Sequence, residues 1–593
     1  MKHNTSHILS TILLLAISLS ACTSGNTNSP ISQSTNSLIT QSTNPPIPQS
    51  SQFSPSPTST PFPSGIRIGR AVPSALMEQI ATLNLAATTS LTLDVARGEP
   101  TQNEIRFQWI YVLAAPFPTV TDDVTFEDLQ RAWKEGTPLA PLGRTPLLME
   151  ESTLEAFTAK WGAPAPGFAR SVTADQLLET AWRENTWAII PFENLEPKWK
   201  VLTIDGQSPI RKNFDLSSYP LIVNFALYPL SGTQFATLPF SNYDPSRITT
   251  VLLTGVTALV RATALTMEIK GVTYPGEKIR DLMREADIAH VSNEIPFMTG
   301  CPFPKPDQVA LVFCSDPKYI ELLTDIGTDV VELTGNHFAD YGPNAMLETL
   351  SIYKQHGIPY FGGGADLQDA LQPALFEING NKIAFIGCNR PDVNRFPTAT
   401  ESRPGAAPCD FAFLTQKIAD LKSQGYLVIS TFQWYESYDW QPHPAQRNEF
   451  RLMADAGASI VSCSQAHYAQ AMEFYGDAFI HYGLGNLFFD QMGDQPWMPA
   501  GIRREFLDRY VIYDGKLISV ELITALLEDY SRPRLMTEKE RIGFLQEYFY
   551  YSGWMPFIPT PTPTITPTLT PMSIPPLSGT FSPFPLSTPT PNP

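Results

Sequence analysis

The chain has 593 residues, enough for two to four domains. Its formal charge of −18 excludes a nucleic-acid binder, which needs a basic footprint. The same charge works against tight, charge-driven capture of another polyanion.

Residues 1–22 begin with Lys2 and His3, continue into ILSTILLLAISL, which is short for a membrane span, and end on Leu19-Ser20-Ala21-Cys22. That ending resembles a bacterial lipobox, in which the cysteine becomes the lipidated first residue of the mature protein. The alternative is an ordinary cleaved signal peptide. A lipid at Cys22 implies export and anchoring at the outer face of the cytoplasmic membrane. Residues 23–65 are almost wholly Ser, Thr, Asn, Gln and Pro, cannot bury enough apolar surface to offset ordering, and read as a tether. The tail at 555–593, with PTPTPTITPTLTP, predicts an extended polyproline-like segment, either a spacer or an unstructured end.

Residues 66–242 predict a first α/β domain. IRFQWIYVLAAPFP, TWAIIPF and WKVLTIDG read as strands, TFEDLQRAWKEG as a helix, and LEAFTAKWG as a second helix after Glu151-Ser152-Thr153. These segments resemble part of a phosphate-type periplasmic solute-binding protein. In that family a Ser/Thr pair at a helix N-terminus meets an anion. The plainer role for Ser152 and Thr153 is as helix caps.

Residues 246–554 alternate more cleanly. Strand-like ITTVLLTGVTAL, DIAHVSNE, TDVVELTG, KIAFIGC, YLVISTFQ and ASIVSCSQ are separated by amphipathic helical stretches. Pro317 and Pro343 stand where a first helical turn tolerates proline, and Gly327 and Gly357 where a helix stops. The alternation implies a layered α/β fold around a buried, largely parallel sheet. DRYVIYDGKLISVELIT then reads as an antiparallel hairpin turning at Asp514-Gly515.

The most informative segment is DVVELTGNHFADYG, where a buried β-branched run stops on Gly335-Asn336-His337, at the carboxyl end of a strand. With HVSNE (290–294) and AMEFYGDAFIHYGLGNLFFDQ (471–491), it resembles the bacterial CapA family of poly-γ-glutamate capsule synthesis proteins. The resemblance spans about residues 248–530 and implies a calcineurin-like metallophosphoesterase fold. A two-metal phosphoesterase needs a bridging carboxylate, with imidazoles and amide oxygens completing each shell. The family's first strand ends in Gly-Asp, but here Val256 follows Gly255. Ser292-Asn293-Glu294 keeps a carboxylate in Glu294, and Asn336 and His337 match the family pair, with Asp340 closing the turn. At the family's His-Trp-Gly position stands Gln433, or Trp434 with a one-residue shift, and in Ser464-Gln465-Ala466-His467 only His467 is an imidazole.

The surviving metal set is therefore Glu294, Asn336, His337 and His467, with His337 and His467 as candidate acid–base groups. Asn293, Asp340, Gln433, Gln465, Asn486 and Asp490 are supporting residues. Such a set suits one Zn, Mn or Fe ion and is a poor basis for two. His443 reads as a helix-start residue and His481 as a packed strand residue. The resemblance implies an anchored accessory in capsule or extracellular polymer synthesis, partnered by the polymer or its synthesis machinery, with a depleted metal centre. Its rivals are an active metal-dependent hydrolase of phosphoester or amide bonds and a ligand-sensing lipoprotein. Export permits disulfides, and the sequence-near pairs Cys301/Cys314 and Cys388/Cys409 are the simplest arrangement, leaving Cys463 free.

Overall fold

The computed structural model describes residues 65–82, 91–228, 241–390, 397–493 and 498–554. The Cys22 motif, the tether up to residue 64 and the tail lie outside the described residues. No helix among the described residues is long and apolar enough to cross a membrane.

The N-terminal lobe is organised by the strand Ile105–Pro116, apolar on both faces over most of its length. It pairs antiparallel with Ile222–Tyr228, Ala188–Pro191 and Trp199–Ile204. Buried on both sides, it carries the large side chains Trp109 and Tyr111 into a core shared with Trp133, Phe157 and Trp187. The helix Phe126–Glu135 starts on Thr125, whose hydroxyl accepts from Asp128 N at 3.1 Å, and stops on left-handed Gly136. Ser152 and Thr153 do not cap the helix Glu151–Trp161. Its N-cap is Glu150, which makes no side-chain cap bond, and the Thr153 hydroxyl is buried without a partner. Glu150 and Glu151 put two carboxylates where the solute-binding resemblance would seat an anion, and carboxylates repel one.

The C-terminal lobe corrects the expectation of one parallel sheet. Two mixed sheets are present. In the first, Ile248–Leu253, Ile288–Asn293, Val330–Glu332 and Tyr360–Phe361 run parallel, and Ile248–Leu253 also pairs antiparallel with Arg504–Tyr513. In the second, Asn381–Asn389, Leu427–Gln433, Ile460–Cys463 and Ala478–His481 run parallel, with an antiparallel strand at each edge. Strands with alternating helical connections can build either one sheet or two, since local period does not encode which strands pair. The hairpin turns as expected: Asp514 and Gly515 take φ of 51° and 71°, the two left-handed positions of a type I′ turn. Gly327 and Gly357 are left-handed at their helix ends.

Both expected disulfides are present, with Cα separations of 5.9 Å for Cys301–Cys314 and 5.0 Å for Cys388–Cys409, and Cys463 is free and buried. The lobes share apolar contacts. Phe117 packs within 5.0 Å of Phe474 and 5.6 Å of Trp554, and Val511 and Ile518 join the N-terminal core.

Candidate functional site

Three loops leave the first sheet and two leave the second, and their tips meet between the sheets. Backbone packing is close here. A Cβ on Gly335 would stand 2.3 Å from Glu294 O, and one on Gly255 would stand 2.1 Å from Gly485 O, so both positions require glycine. The approach of Gly335 brings Asn336 beside Glu294, whose N–H donates to Thr257 O at 3.0 Å.

A single polar chain then crosses from one sheet to the other. The Gln433 amide donates to Asn336 Oδ1 at 3.1 Å and reaches Glu294 Oε1 at 3.5 Å. Gln433 Oε1 accepts from Ser464 Oγ at 3.3 Å, and Ser292 Oγ donates to Ser464 Oγ at 3.0 Å. His467 Nδ1 donates to Asn486 Oδ1 at 2.8 Å, which leaves Nε2 facing Glu294 Oε1 at 3.9 Å. All of these residues except Asn336 are buried. Asn486 is itself fixed by donating to Gln491 Oε1 at 2.9 Å, and Gln491 donates to Tyr438 OH at 3.0 Å. Burial pushes the Tyr438 phenol above its ordinary pKa, so it stays protonated.

The structure thus joins Glu294, Asn336, Gln433, His467 and Asn486. His337 follows Asn336, but its Nδ1 is held by Asp340 Oδ2 at 2.6 Å, and the same oxygen accepts from Phe313 N at 2.8 Å. Asn293 turns away, donating to Ile295 O and Tyr353 OH, both at 2.8 Å. Gln465 Oε1 is buried without a partner. Trp434 donates to Glu449 at 2.6 Å, so Gln433 is the residue that faces the site. His443 caps its own helix by accepting from Ala445 N at 3.1 Å. His481 is fully buried, with Nδ1 2.5 Å from Asp508 Oδ2.

Arg261 was not legible as a site residue. Its guanidinium holds Asp490 bidentately and lies over Phe313 and Phe489 at 5.2 and 5.0 Å. Phe313 packs on His337 at 4.8 Å and Phe489 on His467 at 5.0 Å, so one cation braces both imidazoles through two rings. Asp490 belongs to this brace and also accepts from Ala262 N at 3.0 Å. No sequence signal links Arg261 to residues more than two hundred positions away.

The donor set does not fit a bridged metal pair. Val256 is a fully buried valine between two strands, and valine cannot ligate. Among the described residues no three His, Cys, Asp or Glu side chains converge as a metal group. Glu294 Oε1, His467 Nε2 and Asn336 Oδ1 are the remaining convergent donors, and the Gln433 NH₂ occupies the position between two of them. His467 Nε2 and Glu294 Oε1 stand 3.9 Å apart, too far for a hydrogen bond, so the cluster is a buried polar network fixed by the Gln433 amide.

Two mixed sheets with helical connections, whose loops meet at this polar cluster, define a layered α/β protein. Residues 250–491 match the family described as bacterial capsule synthesis protein PGA_cap. The PGA biosynthesis protein CapA of Bacillus subtilis is 31% identical over 173 residues, 29% of this chain and 45% of that protein. The capsule biosynthesis protein CapA of Bacillus anthracis is 30% identical over 176 residues, 29% of this chain and 43% of that protein. The chain therefore spans less than half the length of these curated relatives. Among solved structures, the NAD nucleotidase of Haemophilus influenzae aligns at 12% identity and a TM-score of 0.28, covering 51% of this chain and 55% of that one. An ABC-type phosphate transport receptor from Vibrio cholerae aligns at 11% identity and a TM-score of 0.22, covering 25% of this chain and 69% of that one. At these scores neither likeness bears on function.

Proposed function

We propose that the protein is an envelope-anchored accessory in the synthesis or handling of a capsule-type extracellular polymer, of the poly-γ-glutamate kind, and that its metal centre is depleted. The observation that carries this reading is the Gln433 carboxamide. Its NH₂ lies between the oxygens of Asn336 and Glu294, so a neutral donor takes the position a cation would hold. A site filled in this way, with Val256 in place of a bridging carboxylate, cannot clamp both the attacking and leaving oxygens of a displacement. At most one divalent ion, Zn, Mn or Fe, would bind, through Glu294, His467 and Asn336, after rotation of Gln433. The partners are then the polymer or its synthesis machinery, with the membrane reached through a lipid on Cys22.

Elemental analysis of the purified chain tests the centre. The expected result is no more than one equivalent of divalent metal and negligible turnover of generic phosphoesters. Val256→Asp with Gln465→His should raise the metal content. Two tightly held ions in the unmodified protein, or hydrolysis abolished by His337→Ala, would replace this reading with that of an active hydrolase. Fatty-acid labelling of cells, lost on Cys22→Ser, tests the anchor.

A further inference from the structure

The segment CPFPKPDQVALVFC, residues 301–314, leaves the C-terminal lobe as a loop closed by the Cys301–Cys314 disulfide. No residue from Cys301 to Val312 is buried, and Phe303, Val309, Leu311 and Val312 are 66%, 92%, 55% and 45% exposed. A single exposed apolar side chain is ordinary, whereas four large ones within ten positions make a patch of the kind that meets a protein or a membrane.

The backbone of the loop suits an apolar surrounding. Pro302, Pro304 and Pro306 have no N–H to desolvate. The Gln308 side-chain amide donates to Ala310 O and Val312 O, both at 2.8 Å, and Gln308 N donates to Lys305 O at 3.1 Å. An amide that serves two carbonyls gains little in water, which would meet them anyway, and counts where water is excluded. The only charges in the loop, Lys305 and Asp307, cancel.

A protein partner fits this tip poorly, since a stable interface employs roughly 20–30 residues a side and the tip offers four large side chains. A bilayer needs no shape complementarity, only apolar surface whose backbone polar groups are met. The chain is also placed to reach one. Read as a tether from Cys22, residues 23–64 hold the described lobes within about 150 Å of the membrane even when fully extended, so proximity multiplies a weak contact. At a formal charge of −18 the chain gains nothing from an anionic surface, which leaves apolar insertion as the driving force. We propose that the tip of this loop inserts into the bilayer surface as a second contact beside the lipid on Cys22, an inference that rests on the reading of the protein as envelope-anchored. Phe313 N donates to Asp340 Oδ2 at 2.8 Å and the Phe313 ring packs on His337 at 4.8 Å, so the inserted loop sets the His337 edge of the candidate site against the membrane.

Flotation with vesicles of neutral phosphatidylcholine tests this, using the chain from residue 23 onward, which keeps every described residue and lacks both the apolar run before Cys22 and the lipid itself. This chain should float with the vesicles, and the bound fraction should change by less than about twofold between low and high salt. Phe303→Asp and Val309→Asp should each weaken partitioning by about tenfold or more, while Val309→Leu keeps it. Both side chains lie mostly in water, so the variants should unfold at the wild-type temperature, and if one fails to fold the other still decides. Absence of flotation of the unmodified chain overturns the proposal, as does flotation that is unchanged in a folded Asp variant or abolished by salt. A loop-dependent dimer that ignores vesicles overturns it in favour of a second copy as the occupant. Because the tested chain carries no Cys22, these outcomes are separate from the fatty-acid labelling that decides the anchor.

Discussion

Gln433→Met is the most direct probe of the amide that bridges Asn336 and Glu294. Methionine keeps the length and nearly the volume of glutamine, and the position is only 1% exposed, so packing changes little while every hydrogen bond of the carboxamide is lost. Those bonds are one of ordinary length to Asn336 Oδ1 at 3.1 Å, one at the limit to Glu294 Oε1 at 3.5 Å, and one accepted from Ser464 Oγ at 3.3 Å. A net bond contributes roughly 1 kcal/mol, and a buried acceptor deprived of its donor costs roughly 1–3 kcal/mol. The expected loss is about 3 kcal/mol, or roughly 6–12 °C in the unfolding temperature at about 2–4 °C per kcal/mol. If the amide stands where a cation would, Zn²⁺ or Mn²⁺ should restore most of that loss. At a hundred times its dissociation constant a ligand contributes about 2.7 kcal/mol. The assay is calorimetric unfolding of the two proteins with a chelator and with added metal. A loss below about 1 kcal/mol, or the same metal-induced shift in both proteins, would refute the equivalence of amide and cation.

Arg261→Ala should destabilise the C-terminal lobe by roughly 3–5 kcal/mol, because it leaves the nearly buried Asp490 carboxylate without its bidentate partner, and Arg261→Lys should recover only part of this; denaturant melts decide. Burial pushes the Lys200 ammonium down to about 8, from 10.5. The unfolded chain therefore binds the extra proton between these values, so Lys200 lowers stability below pH 8 and this penalty fades as pH rises toward 10.5. Across that window wild-type stability should rise relative to Lys200→Met by up to about 3 kcal/mol in paired melts. Peptide mapping without reduction should find Cys301 linked to Cys314 and Cys388 to Cys409. The Cys463 thiol, pushed up to about 12 by burial, should resist alkylation until the protein unfolds.

The sequence by itself determined what is local. The strand and helix alternation of residues 246–554, the left-handed turn at Asp514-Gly515, the helix stops at Gly327 and Gly357 and the two short-range disulfides all follow from period, backbone preference and proximity along the chain. It also placed Glu294, Asn336, Gln433 and His467 at strand ends, since the apolar runs stop there. Only the tertiary structure decided that these strands belong to two sheets and that the Gln433 amide meets a glutamate 139 residues away. The same holds for the pairing of Ser292 with Ser464 across 172 residues and of Arg261 with Asp490 across 229. Period-2 and period-3.6 patterns specify which face of an element is buried and carry no information about which element covers it. The seam between the lobes shows the same division, for Lys200, Arg211, Glu521 and Arg541 read singly as ordinary surface charges. Arg211 meets Glu521, and Arg541 meets Asp122 beside Lys200, only where the two lobes come together.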